Sequence, residues 1–221
     1  MSAFCGRVME NLVWFYLTKL CRLKLTNIEK IGKGPFILVS NHLSHFDWLL
    51  LHTLFRKELG LKTFFLAKEE LFESPLLGWM VRHGESIPVN RDRPGKQSIK
   101  RSMQVLKQGH ILALFPEGTR SPDGTLMAGL SGAAFFWRNA KVPVIPVGLH
   151  GLYEVLPKGR WLPKIHPCEV RVGAPIPFPE SSEKPDLETL TDLIMGGIAK
   201  QLAPAAEGEA LLAKGCTPAA E

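Results

Sequence analysis

Six short apolar runs punctuate this chain, and between most consecutive runs lies a segment with helical spacing. The runs cover residues 36–40, 63–67, 86–89, 110–115, 142–149 and 169–172, and the helical patterns cover 47–59, 75–83, 97–108, 131–139 and 187–202. A continuous apolar run without polar alternation has to be covered on both faces, and intervening helices supply that cover. The alternation therefore predicts an α/β fold: a mixed, largely parallel central sheet flanked by helices. At 221 residues the chain has room for one such domain. Residues 1–30 read as a separate N-terminal helical segment, 31–202 as the domain, and 203–221, rich in Ala, Gly and Glu, as a loose tail.

The formal charge of +6 is unevenly spread: eight acidic and three basic residues lie from Glu180 onward, which leaves +11 on the first 179 residues. A body this basic points to an anionic partner, whether nucleic acid, membrane surface or phosphorylated substrate. The basic residues are not interleaved with aromatics in an RNA- or DNA-binding pattern, so nucleic acid is not expected. The four cysteines (Cys5, Cys21, Cys168 and Cys216) have neither metal nor redox spacing and read as reduced thiols; no metal is expected. Near the N-terminus, residues 8–25 read as one helix. Met9, Leu12, Val13, Tyr16, Leu20 and Leu23 form a stripe, with Glu10, Asn11, Thr18 and Arg22 opposite. The longest uncharged stretch there, residues 11–18, is far short of the ~20 residues of a membrane span. Lys19, Arg22 and Lys24 follow the apolar part, unlike in a secretory signal. Periodicity leaves two readings open: an amphipathic membrane-contact helix, or a core-packing helix with a basic end.

Four blocks carry chemistry-bearing residues. The first, Asn41-His42-Leu43-Ser44-His45-Phe46-Asp47, sits where a strand gives way to a helix, the edge of an α/β sheet at which ligands bind. His42 is a candidate general base, with Asp47 to orient its ring. Such a contact requires His42 to lie in the turn before the helix. Ser44 and Asp47 equally fit a capping box. In the second block, residues 84–91, a short strand delivers Arg91, either a phosphate-binding guanidinium or part of a solvated turn with Asp92 and Arg93. In the third, Phe115-Pro116-Glu117-Gly118-Thr119-Arg120-Ser121, a strand runs into a tight turn. Gly118 permits close backbone approach to a ligand, Thr119 adds a hydroxyl and Arg120 a cation; a plain surface turn is the alternative. The fourth, residues 142–149, is a buried strand interrupted by Pro143 and Pro146, read as core or as an irregular wall beside a site. No P-loop is present, and Gly32-Lys33-Gly34 lacks the rest of a dinucleotide fingerprint.

In this order, the four blocks resemble those of the phospholipid-synthesis acyltransferases, the family that includes the 1-acylglycerol-3-phosphate acyltransferases. The resemblance spans about residues 36–173. It implies that His42, held by Asp47, deprotonates the hydroxyl of a lysophospholipid, which attacks the thioester of acyl-CoA or acyl-carrier protein directly, with no acyl-enzyme. It implies that Arg91 and the Glu117-Gly118-Thr119-Arg120 turn form the phosphate-binding part, with Glu117 orienting an arginine or the turn. No bound cofactor is implied. Acceptor and product are lipids, so the resemblance favours a peripheral or monotopic position on the cytoplasmic face of a membrane. One departure stands out: where family members carry a lysine before a Gly-Ala pair, this chain has Gly129-Leu130-Ser131 before Gly132-Ala133, which bears on acceptor choice. Another lysophospholipid acceptor and a thioesterase are the remaining alternatives.

Overall fold

The computed structural model describes residues 3–90, 95–179 and 185–203. Among these residues, seven strands run in chain order as β1 (Lys24–Thr26), β2 (Phe36–Ser40), β3 (Thr63–Lys68), β4 (Ile87–Val89), β5 (Ile111–Leu114), β6 (Val144–His150) and β7 (Glu169–Val172). The α-helices are α1 (Ala3–Phe15), α2 (Phe46–Glu58), α3 (Pro75–His83), α4 (Lys96–Lys107), α5 (Gly132–Ala140), α6 (Leu152–Val155) and α7 (Leu187–Leu202). The sheet order is β1-β7-β6-β2-β5-β3-β4. Every pairing is parallel except β6 with β7. The expected mixed, largely parallel sheet flanked by helices is the one that forms.

Side chains of the central strands sort by parity, as the two-residue period of a strand requires. Phe36 and Leu38 of β2, with Ile111 and Ala113 of β5, join the core beneath α2, together with Leu17 and Cys21. Ile37 and Val39, with Leu112 and Leu114, face the opposite core, shared with Trp137, Val105, Leu190 and Ile194 of the helices on that side. Helix starts follow the local chemistry. Ser74 caps α3, with Pro75 in its first turn, and Asp186 caps α7 by accepting from Thr189 N at 2.6 Å.

Two expectations need correction. The N-terminal segment is not one helix through residue 25. It passes from α1 into a π-helical turn at Tyr16–Leu20, breaks at Arg22 with φ +50°, and re-enters as β1, parallel to β7. Leu23-Lys24-Leu25-Thr26 alternates apolar and polar residues, a strand signal that the helical stripe obscured. The buried face of α1 also differs from the expected one: Glu10 is buried, whereas Phe4, Val8, Leu12 and Phe15 are exposed. The N-terminal helix exists, and its outward stripe is apolar. None of the helices among the described residues is long and apolar enough to cross a membrane. Residues 204–221, read as a tail, lie outside the described residues. In β6, Pro146 sits where the ladder to β7 ends; its carbonyl still accepts from Gly173 N at 2.8 Å, so the missing N–H falls beyond the paired register.

Candidate active site

Because β2 and β5 are parallel neighbours, the segments that leave their C-terminal ends emerge side by side. The first holds Asn41 and His42, the second Phe115 to Ser121. Asn41 is buried and clamps the end of β2 to β6: its Nδ2 donates to Leu149 O at 3.0 Å and its Oδ1 accepts from Leu149 N at 2.8 Å. The chain then turns before α2, so His42 precedes the helix that carries Asp47, as a contact between them requires. His42 Nδ1 lies 2.8 Å from Asp47 Oδ2. The same oxygen accepts from Leu43 N at 2.5 Å and Ser44 N at 2.8 Å. Ser44 Oγ accepts from Phe46 N at 3.1 Å. Only the carboxylate half of the capping box forms, since the Ser44 hydroxyl bonds Phe46 N and not Asp47 N, and that one carboxylate both shapes the turn and holds the ring. His45, exposed, stands just before the helix.

With Nδ1 engaged by a carboxylate, His42 carries its ring proton there and leaves Nε2 as the free lone pair. The ring stacks on Phe115, with centroids 4.1 Å apart and planes at 14°. Its backbone is held from both sides by the second segment. His42 N donates to Glu117 Oε1 at 2.6 Å, and His42 O accepts from Ser121 N at 2.8 Å. The other oxygen of Glu117 accepts from Met127 N at 2.9 Å.

Glu117 is thus buried and spent on two backbone N–H groups. Of its two expected roles, orienting an arginine or the turn, these bonds fit the turn: Glu117 ties the His42 turn to the segment after the Phe115–Ser121 turn. Burial raises its carboxyl above the ordinary value, opposed by the N–H bonds from Met127 and His42. Sequence reading did not find the roles of Phe115, Ser121 and Asn41 in this frame. Each lies inside a block already singled out, but a ring stack and backbone bonds leave no signature in residue type.

Arg120 is partly buried, and its Nη1 is shielded from solvent with no hydrogen-bond partner among the described residues. Burial lowers its pKa, opposed by the Asp47 charge, and a guanidinium keeps its proton regardless. The ring of His45 is held below its ordinary value by desolvation and by the Arg120 and His42 charges. The Arg120 guanidinium, with one nitrogen lacking a hydrogen-bond partner among the described residues, therefore sits within electrostatic reach of Asp47 and His45. Gly118 has φ +69°, a left-handed backbone that strains any L side chain, and a Cβ there would press on the tip of Leu130 at 2.6 Å. Thr119 is exposed. Arg91 lies outside the described residues.

Phe115 also lines an apolar cavity of about 450 Å³, walled by Leu66, Val89, Leu114, Gly118, Leu130 and Phe136. Leu130 and Ser131, in the stretch before the Gly132-Ala133 pair where the family pattern carries a lysine, both line it. No group of three or more His, Cys, Asp or Glu residues among the described residues is arranged to hold a metal ion.

A family model described as Acyltransferase matches residues 22–150. The 1-acyl-sn-glycerol-3-phosphate acyltransferase of Bacillus subtilis is 29% identical over 190 residues, covering 86% of this chain and 89% of that protein. The chloroplastic 1-acyl-sn-glycerol-3-phosphate acyltransferase BAT2 of Brassica napus is 36% identical over 127 residues, 57% of this chain and 36% of that protein. The chain thus spans little more than a third of the chloroplast relative's length. The crystal structure of the 1-acyl-sn-glycerophosphate (LPA) acyltransferase PlsC from Thermotoga maritima superposes with a TM-score of 0.70 at 28% identity, covering 91% of this chain and 81% of that one.

Proposed function

Since this chain belongs to the acyltransferase family, we propose that it moves a fatty acyl group from acyl-CoA or acyl-carrier protein to the sn-2 hydroxyl of 1-acyl-glycerol-3-phosphate, giving phosphatidic acid. The observation that carries this reading is the His42 Nδ1 to Asp47 Oδ2 contact of 2.8 Å, which leaves Nε2 as the base. Nε2 takes the proton of the acceptor hydroxyl as its oxygen attacks the thioester carbonyl. Asp47 stabilises the imidazolium that forms. When the tetrahedral intermediate collapses, the C–S bond breaks and the imidazolium returns its proton to the leaving thiolate. No covalent bond to the protein is needed.

Arg120 receives the acceptor phosphate, its free Nη1 supporting the role, with Gly118 and Thr119 shaping the turn and Arg91 as the second cation. The apolar cavity beside Phe115 suits a fatty acyl chain. The exposed stripe Phe4, Val8, Leu12 and Phe15 supports residues 1–30 as the membrane-contact segment of a peripheral or monotopic enzyme on the cytoplasmic face, with 31–202 as the acyltransferase domain. A second reading, acylation of a different lysophospholipid, is favoured by one observation: Leu130, not a lysine, packs over Gly118.

The test is release of CoA thiol from palmitoyl-CoA with and without lysophosphatidic acid, with lipid product assayed in the same tubes. Acceptor-dependent release that vanishes in His42→Ala is the expected result. Release of free fatty acid without acceptor indicates a thioesterase and overturns the proposal.

A further inference from the structure

Between α6 and β7 the chain runs Pro157-Lys158-Gly159-Arg160-Trp161-Leu162-Pro163-Lys164-Ile165-His166-Pro167. Residues 158–165 are all exposed, and the openness extends to its large apolar side chains: Trp161 is 92% exposed, Leu162 82% and Ile165 66%. Single exposed hydrophobic residues need no explanation, but three within five residues form a patch that marks a partner. The backbone carrying them is fastened. Lys164 N donates to Val155 O at 2.8 Å, Arg160 N to Pro157 O at 3.2 Å, and Cys168 N to Cys21 O at 3.2 Å. Tyr16 Oη donates to Lys164 O at 2.8 Å, which sets the loop against the end of the N-terminal helix, one residue from the exposed Phe15. The side chains therefore point outward from a held base rather than from a loose strap.

Charge selects the partner. Lys158, Arg160 and Lys164 alternate with the apolar residues, and the loop holds neither Asp nor Glu. None of the three cations is ion-paired among the described residues. A tryptophan takes the headgroup level of a bilayer, aliphatic tips go beneath it, and lysine and arginine stems reach back to phosphate. We propose that residues 156–168 are a second membrane contact, separate from the N-terminal helix: Trp161, Leu162 and Ile165 enter the headgroup–acyl boundary of an anionic bilayer while Lys158, Arg160 and Lys164 engage lipid phosphates.

The full chain is titrated by co-sedimentation with vesicles of phosphatidylcholine, alone or mixed with phosphatidylglycerol. Wild type is compared with W161A/L162A/I165A and with K158A/R160A/K164A, each checked by its thermal melt. Partition onto the anionic vesicles falls about a hundredfold without the three cations and about tenfold or more without the apolar tip. Acyl-brominated lipids quench wild-type fluorescence more than that of Trp161→Phe, a readout that holds even where a triple variant fails to fold. Wild-type partition by either folded triple variant, or equal quenching in Trp161→Phe, overturns the proposal. Self-association abolished by W161A/L162A/I165A, with no vesicle binding, assigns the loop to a second copy and overturns it as well. The loop contact rests only on the membrane part of the proposed function. Failure to acylate lysophosphatidic acid leaves it standing, whereas acylation of dispersed acceptor with vesicle binding indifferent to the loop removes it alone.

Discussion

Two buried carboxylates in this protein hold histidines, and they do different things. Asp47 holds His42 at the open end of the sheet. Glu10 holds His52 Nε2 at 3.3 Å, Arg56 Nη1 at 3.0 Å and His83 Nε2 at 2.8 Å, where α1 packs against α2 and α3. At Asp47 the ring is gripped at Nδ1, near a guanidinium whose Nη1 has no hydrogen-bond partner among the described residues and near an apolar cavity. At Glu10 every donor converges on one oxygen, and the histidines offer it Nε2, the nitrogen that His42 keeps free. Gly6 allows this approach: a Cβ there would meet His83 Cε1 at 2.1 Å. On the proposed function, a histidine–carboxylate contact serves chemistry where the second ring nitrogen is left for the substrate and a cation lies nearby. Otherwise it is a latch, here between the N-terminal helix and the domain.

The comparison breaks most visibly at His42. His42→Ala is expected to lower turnover about 10²- to 10⁴-fold, the usual worth of a positioned general base, with little change in melting temperature. His83→Ala is expected to do the reverse, keeping turnover on dispersed acceptor and lowering the melt. Equal activity loss in both would erase the distinction. Next comes Arg120→Lys, which keeps the charge and loses the fork that grips phosphate. Its expected signature is a rise of about tenfold or more in KM for lysophosphatidic acid, with KM for acyl-CoA unchanged. A fall in kcat alone would move Arg120 from acceptor binding to the reacting centre.

These two assemblies were not equally legible in the sequence. All six strands read from periodicity, and the five helices read after the N-terminal segment, lie within two residues of their observed ends, because strands buried on both faces make unmistakable apolar runs. His42 and Asp47 were readable because both lie in one short block at a strand end. Glu10 was not: its partners stand 42, 46 and 73 residues away, and on a helical wheel a glutamate among apolar residues reads as the solvated face. Glu117 was readable as orienting the turn, but its partners were not, since they are backbone N–H groups and any sequence offers those everywhere.

Smaller effects test the latch itself. Burial alone would raise the Glu10 carboxyl, but the hydrogen bonds from His52 and His83 and the Arg56 charge overcome it and hold the group at about 2, below its ordinary 4.5. A carboxyl with a depressed pKa in the fold stabilises the protein above its unfolded value, and that stabilisation is lost as pH falls through the folded one. Glu10→Gln keeps the shape and one acceptor but removes the charge. It is expected to cost about 1–3 kcal/mol at neutral pH, a fall of about 2–10 °C in melting temperature for a chain of this size. The gap between wild type and Glu10→Gln should be full above about pH 4.5 and shrink as pH drops toward 2. A gap that stays constant over that range would mean the loss comes from packing of α1 rather than from its buried charge. The latch would then be steric, and the likeness between the two carboxylates would end at their geometry.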